Sequence, residues 1–387
     1  MGSSRPGPLT GIRVLELGRY IAAPFAGRQL AELGATVLKV EDPDGGDPMR
    51  GWEGGTRPYS PQFAAYNHSK HAVTLDLRSP DGLQALRDLA TEADVLLENF
   101  RPGVMDRLGL SADRLAADNP ALVYCSLTGF GDTGPYARRP TYDTVVSAMS
   151  GLYSVLLPTG SAAPVGPAMS DLLAGLFAVQ GVLAALHARE RSGRGQRVDV
   201  TMLGAAIGFL GEAVTSAAET RTPIEPNTRQ RRAQAYGAIA SDDLAFVVHL
   251  SIPDKFWRAL CSAMGRPDWL DDGRLATRQD RYDNYGVLER LIREQARTRT
   301  RDEWFAAFLA HDLPHAPLNT FLDLARDEQV AAMNLLVGAE MPGGAEPMTF
   351  VGPAARFSAT PTGPPTAAPL LGADNDRVLT GRRAGAC

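Results

Sequence analysis

The stretch GIRVLELGRYIAAPFAGRQLAELGATVLKVE (11–41) decides the fold. IRVLEL (12–17) is a short run of aliphatic and β-branched residues, a strand by composition. PFAGRQLAELG (24–34) carries apolar residues at helical spacing and stops at Gly34, the residue type that most easily ends a helix. TVLKVE (36–41) is a second strand. Strand, helix and strand in close succession make a βαβ unit, which joins parallel strands.

The pattern continues outward. AVTLDL (72–77), DVLLENF (94–100), ALVYCSL (121–127) and RVDVTML (197–203) read as further strands. SPDGLQALRDLATEA (79–93) reads as a helix with Ser79 as cap and Pro80 at its first position. SADRLAADNP (111–120) is a shorter one capped by Ser111. This alternation predicts a doubly wound α/β fold with a parallel sheet. DLLAGLFAVQGVLAALHARERSG, opening at Asp171, is apolar on nearly every face until Arg189 and predicts a buried helix. Its apolar part, 172–186, is interrupted by Gln180 and is expected to fall short of a ~30 Å bilayer core.

Further along, TRTPIEPNTRQRR (220–232) is polar and proline-containing and reads as a linker, with Arg229, Arg231 and Arg232 as a solvated basic run. Residues 231–325 hold a smaller α/β region, with strands at YGAIAS and LAFVVHLS and helices around FWRALCSAMG, VLERLIREQA and DEWFAAFLAHD. The tail, 341–387, is rich in Pro, Gly and Ala.

Composition sets the outer bounds. A chain of 387 residues, 44% hydrophobic and 21% charged, can bury its own core, and its length suggests two or three domains. A net charge of −5 argues against wholesale nucleic-acid binding. Three scattered cysteines, Cys125, Cys261 and Cys387, indicate a reducing compartment without a disulfide framework. MGSSRPGPLTG shows no apolar signal region, so a cytoplasmic protein is expected.

The familiar cofactor motifs are missing. The first strand is followed by GRYIAAPFAG rather than GxGxxG, and no Walker loop or GxSxG elbow occurs. HDLPH (311–315) spaces two histidines at i, i+4, but Pro314 disturbs a helix there and no further ligands gather, so no metal site is expected.

Asp171 is the residue of chemical interest, and it has two readings. Ser170 or Asp171 can simply cap the helix that follows. Alternatively, a carboxylate at a helix N-terminus stays ionised at neutral pH and serves as a covalent nucleophile. Lysine is scarce: only Lys39, Lys70 and Lys255 occur, two of them beside the predicted N-terminal strands.

Several segments together resemble one family. They are residues 11–51, YNHSKHAVTLDLRSPDG (66–82), ADVLLENFRPGVMDRLGL (93–110), SLTGFGDTGPYARRPTYD (126–143), residues 170–202 and APLLGADND (368–376). This combination resembles the class III CoA-transferases. The resemblance implies a Rossmann-like large domain (9–210), a linker (211–230), a small domain (231–328) and a return segment (329–387) that completes the large domain. It implies an interlocked homodimer as well. It also implies acyl-CoA and a carboxylic acid as substrates, with no tightly bound cofactor, no nucleic acid and no membrane.

In that resemblance the family's aspartate falls on Asp171, which forms an acyl-aspartyl anhydride and then an aspartyl-CoA thioester. CoA-contact positions fall on Ile21, Ala22, Leu75, Arg78, Asn99, Phe100, Arg101, Arg107 and Tyr142. Asp42 stands where formyl-CoA transferase carries a basic residue. Asp143 follows Tyr142 where that enzyme has an acidic residue near its active site. Related α-methylacyl-CoA racemases carry a histidine where Tyr142 stands, and tyrosine is a poor base at neutral pH. The glycine-run loop of formyl-CoA transferase is missing: RQRRAQAYGAIASDD has Gly237 as its only glycine. The family's frequent Glu-His near the C-terminus appears as Ala373 and Asp374. Two other readings stay open: a 2-methylacyl-CoA racemase or related isomerase, and a non-catalytic acyl-CoA-binding protein of the same fold.

Overall fold

Aliphatic runs become parallel strands only where helices cover both faces of the sheet, and the early part of the chain meets that condition. A computed structural model describes residues 6–52, 58–158, 160–251 and 253–380; Cys387 lies outside them. In order, the elements are β1 (Arg13–Leu17), α1 (Ala22–Glu32), β2 (Thr36–Glu41), α2 (Pro61–Asn67), β3 (His71–Thr74), α3 (Pro80–Thr91), β4 (Val95–Glu98), α4 (Val104–Arg107), α5 (Ala112–Asp118) and β5 (Val123–Thr128). There follow α6 (Asp143–Met149), α7 (Leu152–Leu156), α8 (Met169–Ser192), β6 (Arg197–Thr201), α9 (Met202–Phe209) and α10 (Gly211–Thr220).

The six strands lie in the order β3-β2-β1-β4-β5-β6, all parallel. This is the dinucleotide-fold strand order without its glycine fingerprint. One face of the sheet packs Val14, Val37, Val95 and Val123 against α1 and α8. The other packs Leu15, Leu38, Leu96 and Tyr124 against α3 and α5. The caps read from sequence are made: Ser79 accepts from the Gly82 amide and Ser111 from the Arg114 amide.

Three expectations change. The strand expected over 72–77 stops at Thr74, because the Leu75 amide makes its last ladder bond to Glu41 and the chain then turns. The strand expected over 197–203 stops at Thr201, whose hydroxyl accepts from the Gly204 amide and so starts α9. Helix α8 is 24 residues long and, by length and composition alone, long enough to cross a membrane. It is instead a core helix, although Leu176, Phe177 and Leu183 leave one side exposed. Gly175 lets it approach α1: a Cβ there would stand 2.7 Å from Phe25 and 2.9 Å from the Ala22 carbonyl oxygen.

Contacts divide the chain into two units, one holding residues up to Tyr153, Ala162–Glu219 and the chain from Gln329 on, the other Ser154–Ser161 and Thr220–Glu328. The second unit contains α11 (Thr228–Ala233), β7 (Ala235–Ile239), β8 (Ala245–His249), α12 (Pro253–Ala263), α13 (Arg278–Asp283), α14 (Tyr285–Ala296), α15 (Arg301–Ala310) and β9 (His315–Pro317). The three strands form an antiparallel sheet over a core that includes Trp257, Trp269 and Trp304. Gly237 sits inside β7, not in a loop.

The segment read as a linker, 211–230, carries helices. Residues 211–220 are helical, since GEAVTSAAET is rich in alanine, and Arg229, Arg231 and Arg232 lie on α11. The chain then returns through α16 (Glu328–Ala332), β10 (Leu336–Ala339) and β11 (Met348–Val351). Its tail lies along the outer edge of β3: Asp374 accepts from the Ala72 amide at 2.8 Å and Asn375 from the Thr74 amide at 2.9 Å. An edge that would offer unpaired backbone groups is thereby covered.

Candidate active site

In an open parallel sheet, a crevice forms beyond the strand ends where the order reverses, here between β1 and β4. The loops after these strands are clamped together. The Arg19 amide donates to Asn99 Oδ1 at 3.0 Å, and Asn99 Nδ2 donates back to the Arg19 carbonyl at 2.9 Å. A cavity of about 300 Å³ opens above them. Arg19, Tyr20, Ile21 and Ala22 line it from the first loop, Asn99, Phe100 and Arg101 from the second. Tyr142, at the start of α6, and Asp171, in the first turn of α8, complete it. A smaller cavity of about 180 Å³ shares Arg19 and Phe100 with the first and reaches Asp42, Leu75 and Arg78.

The simple capping reading of Asp171 does not hold. The cap residue of α8 is Ala168, and neither Ser170 nor Asp171 caps its own helix. The cap comes from elsewhere in the chain. Asp143 Oδ1 accepts from the Ser170 amide at 2.7 Å, from the Ser170 hydroxyl at 2.7 Å and from the Asp171 amide at 3.4 Å. This leaves the Asp171 carboxylate half-buried at the cavity wall, with no hydrogen-bond donor to it among the described residues.

The expectation that Asp171 is fully ionised at neutral pH is corrected too. Burial, and then the neighbouring Asp143 charge, push its pKa up to about 7. The group therefore titrates near neutrality. Such a carboxylate is more basic than an ordinary one, and hence a stronger nucleophile once ionised.

Below the first loop lies a buried charge network, which explains where two of the three lysines go. Lys39 Nζ pairs with Glu16 at 3.2 Å and with Asp47 at 3.1 Å, and donates to the Gly18 carbonyl at 2.6 Å. Lys70 Nζ pairs with Glu16 at 2.7 Å and donates to the Pro24 carbonyl and to Asn67. Burial would lower Lys39, but Glu16 and Asp47 outweigh it and raise its pKa. For Lys70 burial wins over Glu16 and brings it down to about 8. Gly27 leaves room for this network, since a Cβ there would stand 1.9 Å from Glu16 Oε2.

Tyr20 sits directly above. Its φ of +65° lies in the left-handed region, which costs a bulky residue roughly 1–2 kcal/mol. The Asp47 carboxylate holds it there by accepting from the Tyr20 amide at 3.2 and 3.3 Å.

Of the residues singled out in the sequence, Ile21, Ala22, Asn99, Phe100, Arg101, Tyr142 and Asp171 meet in one cavity, and Leu75 and Arg78 in its neighbour. Asn99 spends both side-chain groups on the Arg19 backbone, so it shapes the wall. Arg78 is 67% exposed and already pairs with Asp76, Asp44 and Asp42. Arg107 lines neither of these two cavities. Sequence reading missed Arg19, Tyr20, Asp47 and Arg139. Arg19 was findable as the cation next to the first strand's end; the others needed the third dimension. No described carboxylate pairs with the side chains of Arg19 or Arg101.

Residues 9–375 match the family described as CoA-transferase family III. Among curated proteins, the chain is 34% identical to the acetyl-CoA:oxalate CoA-transferase of Acetobacter aceti, covering 87% of this chain and 88% of that one. It is 33% identical to the succinate–glutarate CoA-transferase of Agrobacterium fabrum, with coverage of 97% and 96%. Among solved structures, it is similar to a CAIB/BAIF family protein from Brucella suis, with a TM-score of 0.85 and 31% identity over 98% of this chain and 100% of that one. A hypothetical protein from Mycobacterium tuberculosis gives a TM-score of 0.82 at 32% identity, with coverage of 97% and 100%.

Proposed function

The chain belongs to CoA-transferase family III, and from that premise we propose that it moves CoA from an acyl-CoA donor to a carboxylic acid through covalent intermediates on Asp171. The observation that carries this reading is the Asp171 carboxylate, without a hydrogen-bond donor among the described residues, on the wall of a cavity of about 300 Å³.

Asp171 Oδ attacks the thioester carbonyl, the C–S bond breaks and CoA thiolate leaves; an acyl-aspartyl anhydride remains. The thiolate attacks the aspartyl carbonyl, the anhydride C–O bond breaks and the donor acid leaves; an aspartyl-CoA thioester remains. The acceptor carboxylate displaces the thiolate to form a second anhydride. The thiolate then attacks the acceptor's carbonyl carbon and frees Asp171. Thioesters and anhydrides are close enough in energy for this relay to run in small steps.

Other features support it. Helix α1 has no side-chain cap, and its cap residue Ile21 and first residue Ala22 line the cavity, so the backbone N–H groups at this helix end can stabilise a developing oxyanion. Arg19 and Arg101, which no described carboxylate pairs, offer guanidinium groups to the phosphates of CoA, with Leu75 beside the nucleotide. Arg78 is less available, since a phosphate there would meet three carboxylates. Tyr142, 66% exposed, stands at the cavity rim where the racemases carry their histidine, which favours transfer over racemisation. By resemblance, the working form is an interlocked homodimer, and the few scattered cysteines support a reducing compartment such as the cytoplasm.

The decisive experiment supplies an acyl-CoA, quenches with hydroxylamine or borohydride, and maps the product by mass spectrometry. Modification at residue 171 is expected. Undiminished transfer without any label there would rule out the covalent route.

A further inference from the structure

We propose that Tyr20 is the specificity-determining residue of the acyl subsite, and that Asp47 is the positioning residue that holds it there. This rests on the transferase reading and names what limits the acyl group that can reach Asp171.

Tyr20 and Asp171 line the same cavity, so an acyl group held at Asp171 shares that space with Tyr20. The backbone gains nothing from a tyrosine at φ +65°, where glycine would sit without strain. What the position holds is therefore a ring. That ring is fixed from three directions. Asp47, 1% exposed, takes the Tyr20 amide with both carboxylate oxygens. Lys39 pairs with Asp47 and holds the Gly18 carbonyl two residues earlier, so the loop cannot shift. The ring meets Tyr142 edge-on, with centroids 6.2 Å apart at 88°, and Trp52 at 6.2 Å and 43°. With its backbone anchored and a ring on either side, the Tyr20 side chain is restricted in where it can turn. It fixes the depth of the subsite and favours short, unbranched acyl groups over bulky ones.

The test measures kcat/KM for acetyl-, butyryl-, hexanoyl- and octanoyl-CoA with one common acceptor. The proteins are the native chain, Tyr20→Phe, Tyr20→Gly and Asp47→Asn, with thermal melts and CoA affinity in parallel. Native protein should prefer the short donors. Tyr20→Gly keeps a relaxed backbone and removes the ring, so the hexanoyl-to-acetyl ratio should rise about tenfold. Tyr20→Phe should leave the ratio within about twofold. Asp47→Asn still offers an acceptor oxygen to the Tyr20 amide but loses the Lys39 ion pair; its ratio should move the same way as Tyr20→Gly, by less. The two Tyr20 variants leave the buried network intact, so they remain informative if Asp47→Asn does not fold. An unchanged ratio in folded Tyr20→Gly with native CoA affinity overturns this inference alone. Failure of the native protein to transfer CoA from any donor overturns the transferase reading, and this inference with it.

Discussion

Asp143 caps the helix that carries Asp171. Its Oδ1 lies 2.7 Å from the Ser170 amide and 3.4 Å from the Asp171 amide. The same charge also raises the pKa of Asp171, second only to burial. One carboxylate thus fixes the position of another and tunes its titration.

The two roles separate by substitution. Asp143→Asn keeps an oxygen for the Ser170 amide and removes the charge, so the pKa of Asp171 should fall. The acid limb of the kcat/KM profile for the acyl donor, expected near pH 7, should move to lower pH. Asp143→Ala loses the cap as well, at about 1 kcal/mol of stability, together with a drop in kcat. Identical pH profiles for native protein and Asp143→Asn would show that the charge does not reach Asp171.

Asp171 also makes stability depend on pH. Its folded pKa is raised from 3.8 to about 7, so the fold favours the neutral acid. Stability is full below the unfolded pKa and is lost as pH rises through about 7. Asp171→Asn removes that dependence. It should melt like the native protein near pH 4 and be more stable at pH 8. The gain is on the order of 2 kcal/mol, less than the shift alone would give, because solvent reaches this half-buried group. Denaturant melts at the two pH values check this, and a gain at pH 4 equal to that at pH 8 would refute it.

The buried network predicts a sharp contrast among ion pairs. Glu16→Leu strands Lys39 and Lys70 in the interior without their shared carboxylate and should cost about 3–5 kcal/mol. Lys255→Ala breaks the pair with Asp312, where both side chains are exposed, and should cost less than about 1 kcal/mol. Comparable losses for the two, measured by urea unfolding, would mean that the network is not closed to water.

The sheet was readable because its strands are aliphatic runs separated by helical spacing, and Ser79 and Ser111 cap as local chemistry demands. The helix over 211–220 was hidden by the polar, proline-containing segment that follows it. Asp171 stood out because it opens a long apolar helix. Asp143 was marked only by the family resemblance; its role as the cap was not legible, since it crosses 28 positions of sequence and depends on α6 meeting α8. Tyr20 carries no sequence sign of a positive φ, and nothing in GGDPMR marks Asp47 as its anchor. Lysine scarcity was the one trace of the buried network, and it pointed to the right strands without giving the partners.

The hydrogen bonds from Asp374 and Asn375 to β3 span about 300 positions of sequence. A ribosome makes β3 about 300 residues before its edge partners. Until they arrive, the newborn sheet carries a sticky flank that neighbouring nascent chains could join. The sheet thus closes its flank only once residues 374 and 375 have been made, and its outermost strand is the place where a chaperone would do the most good.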